Sequence, residues 1–300
     1  MAHRFDELAT SVDMTLKSKA SNVQYYSLAL DENTDAPQNP SDLFKSVITT
    51  LNRLGQNLTN LSDVITDGAP AMEGRGEELV ELMQEEVTKN GINNVMKYYF
   101  LIHQEKLCAK SLKAESVIRV VVNVVNSILS KGLNHREFQD FLHNLETEFR
   151  DVVYYSEVRW LSRGKMLKRM FDLKEGGQTF AEGKGKRVAE FNDDEWMCDF
   201  AFIVDITIHL NELNTRLHGK GQLINSTSDH VEAFKMKLRL WESQLKNNNF
   251  VHIPILLKCN GRDSQKYVRI ISELREEFDT RFQVFKTLVS VCLILRSPFV

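Results

Sequence analysis

Asp31 and Asp67 are the residues whose type and placement best suit chemistry. Asp31 closes the apolar run Tyr25, Tyr26, Leu28, Ala29 and Leu30, with Glu32 and Asp35 just beyond it. Asp67 closes a second run of the same design, residues 61–65 and Thr66, and precedes Gly68. Short apolar runs bounded by turn formers predict buried strands. A carboxylate at a strand end is held rigidly at the mouth of a sheet, where α/β folds place their chemistry. Two such carboxylates side by side offer the hard oxygen ligands that Mg²⁺ takes. Each Asp also suits a plainer task, capping the next helix or opening a turn. Spacing alone leaves both readings open.

A second constellation lies in SEVRWLSRGKMLKRMF, residues 156–171. On a helix Trp160, Gly164, Leu167 and Phe171 share one face, and Arg159, Arg163, Lys165, Lys168 and Arg169 surround it. Five cations around one Trp suit gripping phosphate and stacking a base. An ordinary amphipathic helix with a solvated basic face has the same composition, so both readings stand. Two weaker signals fail. The stretch EGGQTFAEGKGKR lacks the G-x-x-x-x-G-K-[ST] order of a phosphate loop. His103 and Cys108 have no neighbours to complete a four-ligand zinc site.

The elements that must position these residues fall into two groups. Residues 4–19 predict a helix with Phe5, Leu8, Val12 and Leu16 on one face. Asn39 and Pro40 open another helix, which carries Leu43, Val47, Leu51 and Leu54 and ends at Gly55. An acidic helix near 76–89 and a third apolar run over 95–102, ending at His103, complete a strand–helix alternation that implies a mainly parallel sheet. From Leu107 onward the periodicity is helical. Phe138, Phe141, Leu142, Leu145 and Phe149 form one stripe. Trp196, Phe200, Ile203, Ile206, Leu210, Leu213 and Leu217 form a longer one. The valine-rich run at 117–128 suits a helix or a strand. The chain is therefore read as α/β plus all-α and predominantly helical: a domain at 1–106, then a helical domain at 107–300 with a flexible linker near 175–187.

Composition narrows the function classes. Hydrophobic content of 42% and charged content of 26% are those of a globular chain. A net charge of −3 excludes a general nucleic-acid coat but not a local basic site. The N-terminus reads as no signal peptide, and the longest apolar run, 288–295, is too short to span a bilayer. Cys108, Cys198, Cys259 and Cys292 are scattered without a C-x-x-C pair, which points to reduced thiols inside a cell.

LALDENTD, VITDGAPAM, FLIHQEKLCAK, GLNHREFQDFL and EVRWLSRGKMLKR, in this order, resemble hAT-superfamily DNA transposases, above all their domesticated vertebrate relatives of the Charlie type. DFAFIVDITIHLNELNTRLHGKG and KLRLWESQLKNNNFVHIP look like the helical portion of the same proteins. The resemblance implies a ribonuclease H-like core split by a helical insertion, with a DDE-type acidic triad binding two Mg²⁺ ions. In that scheme Asp31 and Asp67 are the first two acids and ancestral metal ligands. Trp160 belongs to the insertion and lies against DNA.

This chain departs from the pattern. Relatives carry two antiparallel strands after the DENTD-like motif, where only about ten residues follow here, too few for a hairpin. Phe100 stands where the family usually has Cys. The third acid belongs to a C-terminal segment that also drives dimerisation, which a chain ending at Val300 is expected to lack, as it is expected to lack an N-terminal zinc finger of the BED type. The resemblance thus leads to a catalytically inactive, truncated, transposase-derived nuclear protein that needs no cofactor, Mg²⁺ having served the ancestral enzyme. It would act as a protein-interaction module or bind DNA weakly and non-specifically through Arg159, Trp160, Arg163, Lys165, Lys168 and Arg169, without a membrane. A transposase or nuclease completed in trans, or a relic without selected function, are the alternatives.

Overall fold

The computed structural model describes residues 2–30, 39–66, 79–91, 95–130, 132–144, 151–152, 160–185, 188–218, 224–259 and 263–283. The chain divides into two compact units, Met1–Gln104 and Glu105–Val300. The first alternates helix and strand: α1 (Ala2–Ala20), β1 (Tyr26–Leu30), α2 (Pro40–Arg53), β2 (Leu61–Thr66), α3 (Leu79–Lys89) and β3 (Met96–Tyr99). The strands form one parallel sheet in the order β1-β2-β3. Parallel neighbours need long crossovers, and α2 and α3 lie in those connections.

Local chemistry fixes α2 as the sequence predicts. The Asn39 side chain accepts from the Ser41 N–H, Pro40 takes the first helical position, and Gly55 follows with φ +72°. The core beneath the sheet contains Leu51 of α2, Leu61 and Val64 of β2, and Leu79, Met83 and Val87 of α3. Tyr26, Leu28 and Leu30 of β1 reach it only partly. Among the described residues β1 pairs on one side only, so it is an edge strand, and Tyr25 just before it is 66% exposed.

Two features of this unit differ from the sequence reading. The run expected to stay extended to His103 leaves the sheet at Tyr99. Phe100 gives the last rung, its N–H donating to the Thr66 carbonyl at 2.7 Å, and its own carbonyl then accepts from the Gln104 N–H at 3.0 Å, opening α4 (Leu101–Ala109). The apolar face of α1 is not core. Leu8, Val12, Met14 and Leu16 are exposed, while Asp13 on another face pairs with Lys17 and Arg53.

The second unit is helical: α5 (Glu115–Leu129), α6 (Gly132–Asn144), α7 (Trp160–Asp172), α8 (Lys174–Gly183), α9 (Asp194–Leu217), α10 (Ile224–Lys246), α11 (Pro254–Leu257) and α12 (Ser264–Arg281). The valine-rich run resolves as helix, with Val117, Val121, Val124, Val125 and Ile128 buried on one face of α5. At its centre stands α9, against which α5, α7, α10 and α11 pack. Sequence periodicity predicts one apolar stripe on α9, but residues 200–207 are all buried, so its middle is enclosed on every side. Asp193 caps its start, accepting from the N–H groups of Glu195 and Trp196 at 2.9 and 3.2 Å. Beside it α10 and α12 lie together. Phe234 meets Phe278 at 5.1 Å, and Lys235, 1% exposed, pairs with Glu232 at 2.9 Å and Asp279 at 2.6 Å.

The expected linker at 175–187 is corrected over most of its length, because Lys174–Gly183 forms α8. Tertiary packing overrides the weak helix propensity of its glycines. The Phe180 ring meets Phe138 edge-on at 5.1 Å, and Ala181 is buried. A Cβ at Gly177 would lie 2.4 Å from the methyl at the flexible end of Met170, which would have to shift aside. Among the described residues no single helix is long and apolar enough to cross a membrane.

An edge strand opens more readily than an enclosed helix, because half of its backbone ladder faces solvent. Hydrogen exchange on the whole chain should show amides of residues 27–30 exchanging at least ~10-fold faster than those of 202–210. Equal protection in both segments would contradict the edge assignment.

Candidate nucleic-acid interface

The two acids that opened the sequence argument, Asp31 and Asp67, lie outside the described residues. The residues just before them are described. Leu30 and Thr66 are register partners at the ends of adjacent parallel strands. Among the described residues no group of three or more His, Cys, Asp or Glu side chains is placed to hold a metal.

Of the basic constellation, Arg159 also lies outside the described residues, and Trp160 is described only as the first residue of α7. The rest of α7 divides by depth. Met166, Leu167 and Met170 are fully buried, and Phe171 meets Phe200 of α9 edge-on at 5.2 Å. Lys165, Lys168 and Arg169 line a cleft of about 800 Å³. Arg163 is half-buried and does not line it. The opposite wall comes from α9, through Asn211, Thr215 and Arg216, none of which the sequence reading singled out. A signal for them existed: Ile208, Asn211, Glu212, Thr215 and Arg216 recur at i, i+3, i+4, i+7 and i+8, a second stripe beside the apolar one.

The two helices come close because Gly164 has no side chain. A Cβ there would lie 2.3 Å from Asn211 Nδ2 and 3.0 Å from its Cγ. The cleft's charges are unequal in reach. Lys168 is bound to Asp172 one turn on, at 2.5 and 2.6 Å. Arg169 donates to the Asp151 carbonyl at 2.8 Å. Lys165 and Arg216 are exposed and make no ion pair among the described residues. Glu212 and Asp172 supply the only acids in the lining. One free cation on each wall of a cleft, with an amide and a hydroxyl also in the α9 wall, suits an anionic oxygen of a phosphodiester.

Behind this wall sits a buried acid. Asp205 of α9, 2% exposed, accepts from the backbone N–H groups of Ile255 and Leu256, each at 2.9 Å, and so holds the start of α11. Burial pushes its carboxyl up to about 7, against those N–H donors and the Lys168 cation, all of which favour the charged form. Glu105 of α4, fully buried, is also pushed up to about 7 by burial, against the hydrogen bond it accepts from Asn214 of α9.

With this geometry in place the relatives can be set beside it. Residues 100–246 match the family described as the FAM200/GTF2IRD2 helical domain. The chain is 37% identical over 262 residues to general transcription factor II-I repeat domain-containing protein 2 of Bos taurus, covering 86% of this chain and 28% of that protein. It is 31% identical over 328 aligned residues to the protein of that name in Mus musculus, covering 98% and 35%. The chain is homologous to these proteins. It spans about a third of their length. No solved structure matches it. The family match runs from the start of α4 to the end of α10, so both walls of the cleft fall inside it.

Two outcomes follow from the packing behind the cleft. Gly164→Val should destabilise the helical unit by on the order of 1–3 kcal/mol, because the Asn211 amide has to leave its place. Gly183→Ala, where a Cβ meets nothing within 4 Å, should be neutral or better. Equal urea midpoints for the two variants would contradict the close approach. For Asp205 the sign is set by a folded value raised from 3.8 to about 7. The folded chain keeps a proton that the unfolded chain loses, so this stability is full below about pH 4 and fades as pH rises through 7. The advantage of the native chain over Asp205→Asn should therefore shrink by on the order of 2 kcal/mol between pH 5 and pH 8. A gap independent of pH would mean that Asp205 stays charged throughout.

Proposed function

We propose that this chain is a nuclear, DNA-associated module derived from a hAT-type transposase and no longer able to cut DNA. One observation carries the DNA part: Lys165 and Arg216 face a common cleft from two helices that Gly164 brings together, with Lys168 and Arg169 beside them. The binding would be weak and sequence-independent, because phosphate contacts position a protein on a duplex without reading bases. Nuclear placement is supported by the names of the relatives, which describe general transcription factor II-I repeat proteins.

The loss of cutting is supported from within the chain. The family resemblance calls for two antiparallel strands beside β1, and only residues 31–39 separate β1 from α2, too few for a two-stranded hairpin. An edge strand holds the residue at its end less firmly than a central strand does. Two-metal phosphoryl transfer needs its ligands placed to within about 0.5 Å. A ribonuclease H-like ancestry fits the parallel order β1-β2-β3 if those two strands were lost from the β1 side.

The test is anisotropy on a fluorescent duplex of arbitrary sequence at several salt concentrations. The native chain should bind weakly, and Lys165→Ala with Arg216→Ala should lower the salt slope by about 2. An unchanged slope sinks the cleft as the binding site. The same duplex with Mg²⁺ or Mn²⁺ should stay intact, and nicking abolished by Asp31→Ala or Asp67→Ala would restore the enzyme reading.

A further inference from the structure

Two thiols of the helical unit stand together although they are 61 residues apart in sequence, at 198 and 259. Cys198 is buried in the second turn of α9. Cys259, half-buried, lies two residues past the end of α11. The two thiols are within hydrogen-bonding reach of each other. Cys259 Sγ also lies 3.9 Å from the carbonyl oxygen of Met197, the neighbour of Cys198, and 3.8 Å from that of Ile255. Nothing in the proposed DNA contact uses this pair.

We propose that Cys198 and Cys259 form a reversible disulfide that latches α11 onto α9. The oxidant class is a peroxide. The more exposed Cys259 reacts first: its thiolate attacks a peroxide oxygen, the O–O bond breaks, and Cys259 carries a sulfenic acid while hydroxide leaves. Cys198 then attacks that sulfur, the S–O bond breaks, and the S–S bond forms. Protons from the two thiols convert the two hydroxides to water. Two thiols are oxidised by two electrons and one hydrogen peroxide is reduced to two waters.

The surroundings set the rate. Burial first, then Cys259, Asp199 and Asp194, push the Cys198 thiol up to about 11. Asp199 is held in turn by Lys266 at 2.8 Å and the Tyr267 hydroxyl at 3.1 Å. Scarce thiolate makes the closure slow near neutral pH and faster as pH rises. The effect is local and large. A helix of four residues cannot hold itself together, and α11 is tied to α9 by the Asp205 carboxyl and by packing. A covalent link at its far end would close a loop containing most of α9 and all of α10.

The test uses the full chain, reduced, then treated with hydrogen peroxide, blocked and digested. The expected product is a Cys198–Cys259 cross-linked peptide pair with a mass about 2 Da below the two free peptides. It should come with a Tm higher by roughly 5–15 °C that dithiothreitol reverses. Cys259→Ser should abolish both changes and Cys108→Ser neither. Oxygen added at Cys259 without the cross-link, a bridge from Cys259 to another cysteine, or a cross-link that leaves Tm unchanged would each overturn the latch.

Discussion

A helix enclosed on every side can carry a polar group only where a partner waits for it, and α9 carries three. Asp205 takes the N–H groups that open α11, Asn214 donates to Glu105 of α4, and the Thr207 hydroxyl donates to the Ile203 carbonyl at 2.7 Å within the helix itself. An unmet group of this kind costs about 1–3 kcal/mol. Sliding α9 by one turn would strand two of them at once, along with the rings of Phe200 and Phe202. Apolar burial holds the helices together without direction. These few hydrogen bonds give α9 its register, and the other helices take their places from it.

The same constraint builds the cleft. The middle of α9 faces core, while its last turns leave a polar stripe near solvent, and α7 packs beside it. Gly164 lets the two backbones close until Asn211 fills the gap, which brings Lys165 and Arg216 to opposite banks. The Lys235 triad plays a comparable part between α10 and α12. Lys235 is buried while Glu232 and Asp279 stay partly exposed, so losing both acids would leave a buried ammonium unmet. The triad therefore fixes how the two helices align more than it adds to stability.

Much of this was legible in the sequence, and what was not has particular reasons. Asn39, Pro40 and Gly55 mark α2 because caps and stops are local chemistry. The stripe on α9 is legible because one face of a helix repeats. Its other buried face is not, since Ala201, Val204 and Thr207 are too small or too polar to mark a core. Residues 175–187 look like a tether by composition, and the distant Phe138 and Phe141 make Phe180 an anchor. The exposed stripe of α1 errs the other way, a periodic apolar face that the described residues leave uncovered. For the candidate interface, the helix carrying Lys165, Lys168 and Arg169 was legible, but Arg216 comes from 51 residues further on, and periodicity within one helix cannot show what faces it.

Counting cations in the sequence overstates what the fold can offer to DNA. The constellation holds five basic side chains around Trp160. In the structure Lys168 is engaged by Asp172, and Arg169 has given a donor to Asp151. A phosphate arriving at either must displace a partner already within hydrogen-bonding distance. A counterion is released only where a cation is free to meet a phosphate, so the cleft offers about two such contacts, from Lys165 and Arg216. The chain as a whole carries a net charge of −3. Beyond about 8 Å at physiological salt its acids are screened from an approaching strand, so the local pair decides the interaction and the net charge does not. Two contacts of this kind would hold a duplex only loosely.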